Sequence, residues 1–167
     1  MKAITLWQPH ASWIAMGWKT IETRDHDRFR GLVGQRIAIH AGLFVDNRAM
    51  LSDGCLSKIT EVGRGAAHNY VSIVLSHRGR IVCTALVTRA EWAPSKDQRL
   101  MAHNEWDRLA MCDTTDKYCL FLNDIQALVN YTRIKGRGIF NVPDELIYPI
   151  NPSVPVCVGR AERVAEL

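Results

Sequence analysis

Apolar and polar positions alternate with period two over Ala3-Ile4-Thr5-Leu6-Trp7, the pattern of a half-buried strand. Gln8-Pro9 stops that run, and proline suits the first turn of a helix. His10 to Met16 predicts a short helix with Ala11, Ile14 and Ala15 on one face and Gly17 as its C-terminal stop. The chain returns as a strand of β-branched and charged residues from Lys19 to Arg24. A charged loop spans Asp25 to Gly34, and Gln35 to His40 alternates again as a third strand.

Beyond this, Asp46 to Val62 carries a weaker helical pattern interrupted near Gly54, and Gly63-Arg64-Gly65 breaks the chain. Tyr70 to Leu75 is a short apolar run that fits strand or helix. Arg80 to Thr88 is the strongest strand, so continuously apolar that cover on both faces is expected. Leu100 to Met111 predicts a helix that buries Leu100, Met101, Trp106, Leu109 and Ala110. Lys117 to Leu122 predicts a strand, Ile125 to Leu128 a turn or short helix, and Tyr131 to Lys135 a short strand. Residues 151–167 read as an added edge strand or a tail. Many short strands with few helices favour an α+β fold, a small mixed β-barrel with peripheral helices, over a doubly wound sheet.

At 167 residues a single domain over 1–150 is expected, with a helical insert near 46–76. No apolar run approaches the roughly 20 residues a bilayer requires, so no membrane partner is expected. The five cysteines are odd in number and lack a C-x-x-C pair, which predicts free thiols and a cytoplasmic protein. Charge is uneven. Residues 1–100 hold fourteen Lys/Arg against eight Asp/Glu, whereas the remainder holds seven against nine. That excess is compatible with a polyanionic partner, but charge alone favours the simpler reading of a protein kept soluble.

With period two, Thr20, Glu22 and Arg24 share one face of their strand and Ile21 faces the core. Trp7, Gln8 and Lys19 converge on the same mouth, because the intervening helix is short. Two readings stand side by side: a functional polar cluster, or a structural Glu22–Arg24 ion pair. The six histidines are scattered without a helical metal-ligand spacing, so neither metal nor cofactor is expected. No nucleophile elbow occurs. Gly136-Arg137-Gly138 is no P-loop; it reads as a turn, or as a phosphate approach with charge from Lys135 and Arg137. Trp7 and Trp18 flank the polar cluster, where an aromatic face can stack on a base.

Leu6-Trp7-Gln8-Pro9, Ala11-Ser12, Gly17-Trp18-Lys19-Thr20-Ile21-Glu22-Thr23-Arg24, Arg30-Gly31 and Ile37 to Ala41 together resemble the ASCH family of PUA-like domains. Gly79 to Val87 is similar to that family's central strand, and Tyr118–Leu122 with Ile134 to Phe140 to its closing section. The resemblance implies a small PUA-like barrel with a cleft beside the G-x-K-x-x-E-x-R motif, and a nucleic-acid or nucleotide-binding function. RNA, DNA or a nucleoside would be the partner, with a protein partner at the 46–76 insert as a further class. Lys19, Arg24 and Lys135 would contact phosphate or a base edge, Gln8 would bond a base, and Glu22 would orient Arg24. Trp7 or Trp18 would stack on a base. The alternative implied is a hydrolase of RNA or of an N4-acylcytidine, with Lys19 and Glu22 as the catalytic pair. The amidohydrolase pattern places a threonine where this chain has Glu22, with Thr23 one residue off, and a glutamate after the central strand, where Glu91 and Glu105 stand.

Overall fold

The computed structural model describes residues 1–62, 64–93, 117–128 and 133–147. Six strands form one mixed sheet: β1 (Lys2–Gln8), β2 (Ile21–Arg24), β3 (Arg36–Val45), β4 (Arg80–Ala93), β5 (Lys117–Ala127) and β6 (Ile139–Asn141), in the order β2-β5-β4-β3-β1-β6. Only β1 and β3 pair in parallel; the other pairings are antiparallel. The helices are α1 (His10–Ala15), α2 (Asn47–Met50), α3 (Asp53–Val62) and α4 (Arg64–His77). The expected α+β class therefore forms, with helices around a mixed sheet. Its outer strands β2 and β6 do not pair with each other among the described residues, so the sheet rolls up without a closed ladder.

The rolling is visible in one bond. Arg24, at the end of edge strand β2, donates Nη2 to the carbonyl of Thr5 in β1 at 3.1 Å. Strands β5, β4 and β3 lie between them in sheet order. A flat sheet would hold these residues far apart, since neighbouring strands are about 4.8 Å apart.

Burial explains the curl. Ile4 and Leu6 of β1, Ile37 and Ile39 of β3, Val82 and Val87 of β4, and Leu120 and Leu122 of β5 enclose Ala11 and Ile14 of α1. On the opposite face, Ala3, Ala38 and Ile81 pack with Leu128 and Val142. Strand β4 is thus covered on both sides, as its unbroken apolar run predicts.

Helix α1 ends in a Schellman motif. Trp18 N–H donates to the Trp13 carbonyl at 2.8 Å and Gly17 N–H to that of Ile14 at 2.9 Å. Gly17 takes φ +71°, the left-handed conformation that this turn demands. The glycine of the signature therefore aims the chain into β2.

Other expectations are changed by the structure, decided by it, or lie outside the described residues. Ile125 to Leu128 does not leave the sheet as a turn or helix. Strand β5 continues to Ala127, kinking at Asp124, which has φ 45°. Arg36 braces that kink by donating to the Asp124 carbonyl at 3.0 Å and pairing with its carboxylate. Tyr70 to Leu75 is helical, inside α4. Of the Tyr131–Lys135 strand, Arg133 forms an isolated bridge with Arg80. The helix expected over Leu100–Met111 and the tail at 151–167 lie outside the described residues.

Candidate functional site

The signature opens into a cleft of about 540 Å³ between the end of β1, α1 and β2. Trp7, His10, Lys19, Glu22, Thr23 and Arg24 line it, joined by Asp25, His26, Asp46 and Lys117. Strand β2 positions the central residues. Ile21 is buried against Cys119 and Phe121, which leaves Glu22 and Arg24 at the cleft.

Glu22 is the hub. Its Oε1 lies 3.1 Å from Arg24 Nη2, and its Oε2 lies 3.9 Å from Lys19 Nζ. Lys19 is only 2% exposed and Glu22 5%. Three charges in so little water need mutual pairing, because an isolated buried charge costs several kcal/mol. The expected Glu22–Arg24 ion pair forms, and Glu22 fixes two cations that line the cleft.

His10 also lines the cleft, and sequence reasoning did not nominate it. Burial pushes its imidazole down to about 4, and Lys19 lowers it further, so it is neutral at pH 7. Its Nδ1 is buried without a hydrogen-bond partner among the described residues, as are Arg24 Nε and His26 Nδ1. Buried polar atoms are nearly always bonded, so three unpartnered ones in residues that line one cleft stand out. The only sequence sign was position, directly after the Gln8-Pro9 stop.

At the rim, Asp25 pairs with Lys117, and the hydrogen bond and charge of that lysine hold the Asp25 carboxyl below its usual range. Asp46 caps α2 by accepting from Arg48 N–H at 3.0 Å and Ala49 N–H at 3.2 Å. The lining holds three Lys/Arg and three Asp/Glu side chains. It is a charge-balanced cleft rich in both donors and acceptors, not a uniformly basic one.

Trp7 is 56% exposed and packs on Phe44, itself 55% exposed, with ring centroids 4.4 Å apart. It therefore offers a free aromatic face beside the cleft. The remaining sequence candidates lie elsewhere. Gln8 is fully buried: its Nε2 donates to Ser12 Oγ at 2.8 Å and the Val74 carbonyl at 2.9 Å, and its Oε1 accepts from Ser12 N–H at 3.1 Å. Ser12 Oγ in turn lies 2.8 Å from His77 Nδ1. This Gln8–Ser12–His77 network fastens β1 and α1 to α4 and is sealed from solvent. Trp18 stacks on Tyr70, with centroids 5.7 Å apart, inside the cluster between α1 and the insert helices.

Lys135 is exposed and does not line the cleft. Its neighbour Gly136 is a packing glycine, because a Cβ there would lie 2.2 Å from the Phe140 ring. Glu91 pairs with Arg89 at 3.3 Å rather than entering the cleft, and Glu105 lies outside the described residues. Thr23 does reach the cleft lining.

Cys55, Cys83 and Cys119 are buried free thiols, and burial pushes Cys119 up to about 11. No group of three His, Cys, Asp or Glu residues suited to a metal occurs among the described residues. Nor is any described helix long and apolar enough to cross a membrane.

No family model matches the chain, and no curated protein does. Among solved structures it is similar to the ASCH protein of Zymomonas mobilis, at 15% identity and a TM-score of 0.45. A serine-to-alanine variant of that protein gives 14% and 0.46. Each match covers 87% of this chain and 89% of the other. Both carry the family name that the Gly17–Arg24 pattern resembles, at identities too low to transfer any residue's role.

Proposed function

We propose that this chain is an ASCH-type nucleic-acid or nucleotide-binding protein that takes a nucleobase of RNA, DNA or a free nucleoside into the signature cleft. One observation carries the reading: a neutral His10 and Arg24, whose buried Nδ1 and Nε have no hydrogen-bond partner among the described residues, line a polar cleft together with the half-exposed Trp7. A base edge presents donors and acceptors together, and its faces stack on aromatic rings. Balanced charge suits such a ligand better than a bare polyanion. In this reading Trp7 stacks, His10, Lys19 and Arg24 bond the base edge, and Glu22 holds the two cations in place. Calorimetric titration with the ribo- and deoxyribonucleosides tests it. At least one should bind, and Lys19→Met should weaken that binding about tenfold or more, the loss expected for a charged hydrogen bond. Binding unaffected by the substitution would remove the cleft from the account.

A second reading, hydrolysis of RNA or an acylated cytidine, is favoured by the 3.9 Å approach of Lys19 to Glu22 within a water-poor cleft. There the pair would activate water and carry its proton. Turnover of acylated cytidines or single-stranded RNA, lost in Glu22→Gln, is the expected sign. A folded protein inert across both substrate classes would contradict it.

A further inference from the structure

Strand β3 reaches the signature cleft through a bulge. Leu6 pairs with Ala41 and Gln8 with Val45, so β1 advances by two residues where β3 advances by four. Gly42 makes room for the extra residues, since a Cβ there would lie 3.1 Å from the Leu6 carbonyl oxygen. Bulges re-aim side chains, and this one delivers two residues beside the end of β1. Phe44 packs on Trp7, and Asp46, just past Val45, joins the cleft lining.

Asp46 is held from two sides. Its N–H donates to the Gln8 carbonyl at 2.6 Å, directly before Pro9 and His10. Its Oδ1 accepts both cap bonds at the start of α2, from Arg48 N–H at 3.0 Å and Ala49 N–H at 3.2 Å. The carboxylate is therefore fixed in place, with Oδ1 turned to the helix and Oδ2 outside the cap. It also stands close enough to His10 to favour the charged imidazole, against the stronger effect of burial.

The carboxylates of the lining are differently engaged. Glu22 faces Lys19 and Arg24, and Asp25 pairs with Lys117. Asp46 instead accepts from backbone amides. An ionised carboxylate accepts and never donates. Set beside a base edge, it attracts an N–H donor and repels a carbonyl oxygen. Lys19 and Arg24 donate, so Asp46 supplies the complementary acceptor. Adenine, cytosine and guanine carry an exocyclic amino group; in hypoxanthine and uracil an oxo group or a hydrogen replaces it.

We infer that Asp46 is the specificity-determining residue of the signature cleft: it accepts a hydrogen bond from the exocyclic amino group of the bound base, and so selects amino-bearing nucleobases over counterparts that lack the group. The inference rests on the nucleobase reading of the cleft. It adds which bases the cleft admits and which side chain chooses them.

Calorimetric titration of the full chain with matched nucleosides tests it: cytidine against uridine, and adenosine and guanosine each against inosine. The amino-bearing member of at least one pair should bind about tenfold or more tightly than its counterpart, because a site built around a hydrogen bond rejects an analogue without it. Asp46→Asn should remove that preference. Asparagine caps helices as well as aspartate does, so its oxygen stays with α2, the thermal midpoint holds, and its NH2 group replaces Oδ2 at the base. Equal affinity within every pair that binds would overturn the inference and leave the cleft reading intact. A preference that persists in folded Asp46→Asn would also overturn it, giving the choice to another side chain. Failure of every nucleoside to bind the folded protein would remove the two readings together.

Discussion

Arg24 bonds the Thr5 carbonyl at 3.1 Å, although three strands separate their strands within the sheet. The same guanidinium holds Glu22 at 3.1 Å, so one side chain both rolls the sheet and orders the cleft. Arg24→Ala removes both contacts and leaves a mostly buried carboxylate with Lys19 alone. Because the Arg24 side chain is 27% exposed, the expected loss is about 1–2 kcal/mol rather than the full cost of breaking a buried pair. Urea denaturation measures it; an unchanged midpoint would mean that the Thr5 and Glu22 contacts carry no net stability.

Gly17 offers a test of the signature's backbone. A Cβ there meets nothing within 4 Å, so substitution should act only through the left-handed φ of +71°. Gly17→Ala should cost about 1–2 kcal/mol, and Gly17→Asn less, since asparagine tolerates that conformation. Equal losses in the two variants would point to something other than backbone conformation.

Acid should weaken the fold through its neutral histidines. Burial pushes both His10 and His77 down to about 4, Lys19 adding to the first and Arg80 to the second. In the unfolded chain each takes up a proton below about pH 6.5. Their stabilising effect is therefore full above pH 6.5, falls as pH drops toward 4, and levels off below that. Each shift corresponds to on the order of 3 kcal/mol as an upper bound. Chemical denaturation of the protein and of His77→Asn at intervals from pH 7 to pH 4 is the measurement. The stability gap between the two should narrow with falling pH; a constant gap would contradict the neutral, buried assignment.

Trp7 separates binding from folding. More than half exposed, it should be replaceable by alanine with little loss of stability beyond its contact with Phe44. Ligand affinity should nevertheless fall by about 1–3 kcal/mol, the usual worth of a base–aromatic stack. Thermal melts and ligand titrations on one protein sample give both numbers. A large stability loss with unchanged affinity would reverse the role assigned to this side chain.

How much of this was legible in the sequence depended on the range of the interaction. Lys19, Glu22 and Arg24 could be placed together because strand periodicity and one short helix are local rules, and the structure gathers them in one cleft. Gln8 and Trp18 were nominated by the same proximity. Their surroundings, however, are set by α4, whose Val74 and Tyr70 lie more than fifty residues away in sequence. No local pattern announces that a polar glutamine will be sealed by a distant helix. His10 was overlooked for the converse reason: one histidine on a short helix carries no periodic sign, and its neutral state arises from burial by the assembled sheet. The continuation of β5 past Asp124 was hidden by a kink that Arg36 braces from β3, again a long-range contact.

Nuclear magnetic resonance of the isotopically labelled protein during nucleoside titration tests whether the signature cleft receives a nucleobase. The chain has five tryptophans, and the Trp7 indole signal can be assigned by its loss in Trp7→Phe. Saturable shifts of the Trp7 indole and His10 imidazole resonances are expected on addition of the bound nucleoside, while Trp18, stacked on Tyr70, stays unmoved. Shifts centred on Trp18 or Lys135, with Trp7 and His10 unaffected, would contradict it.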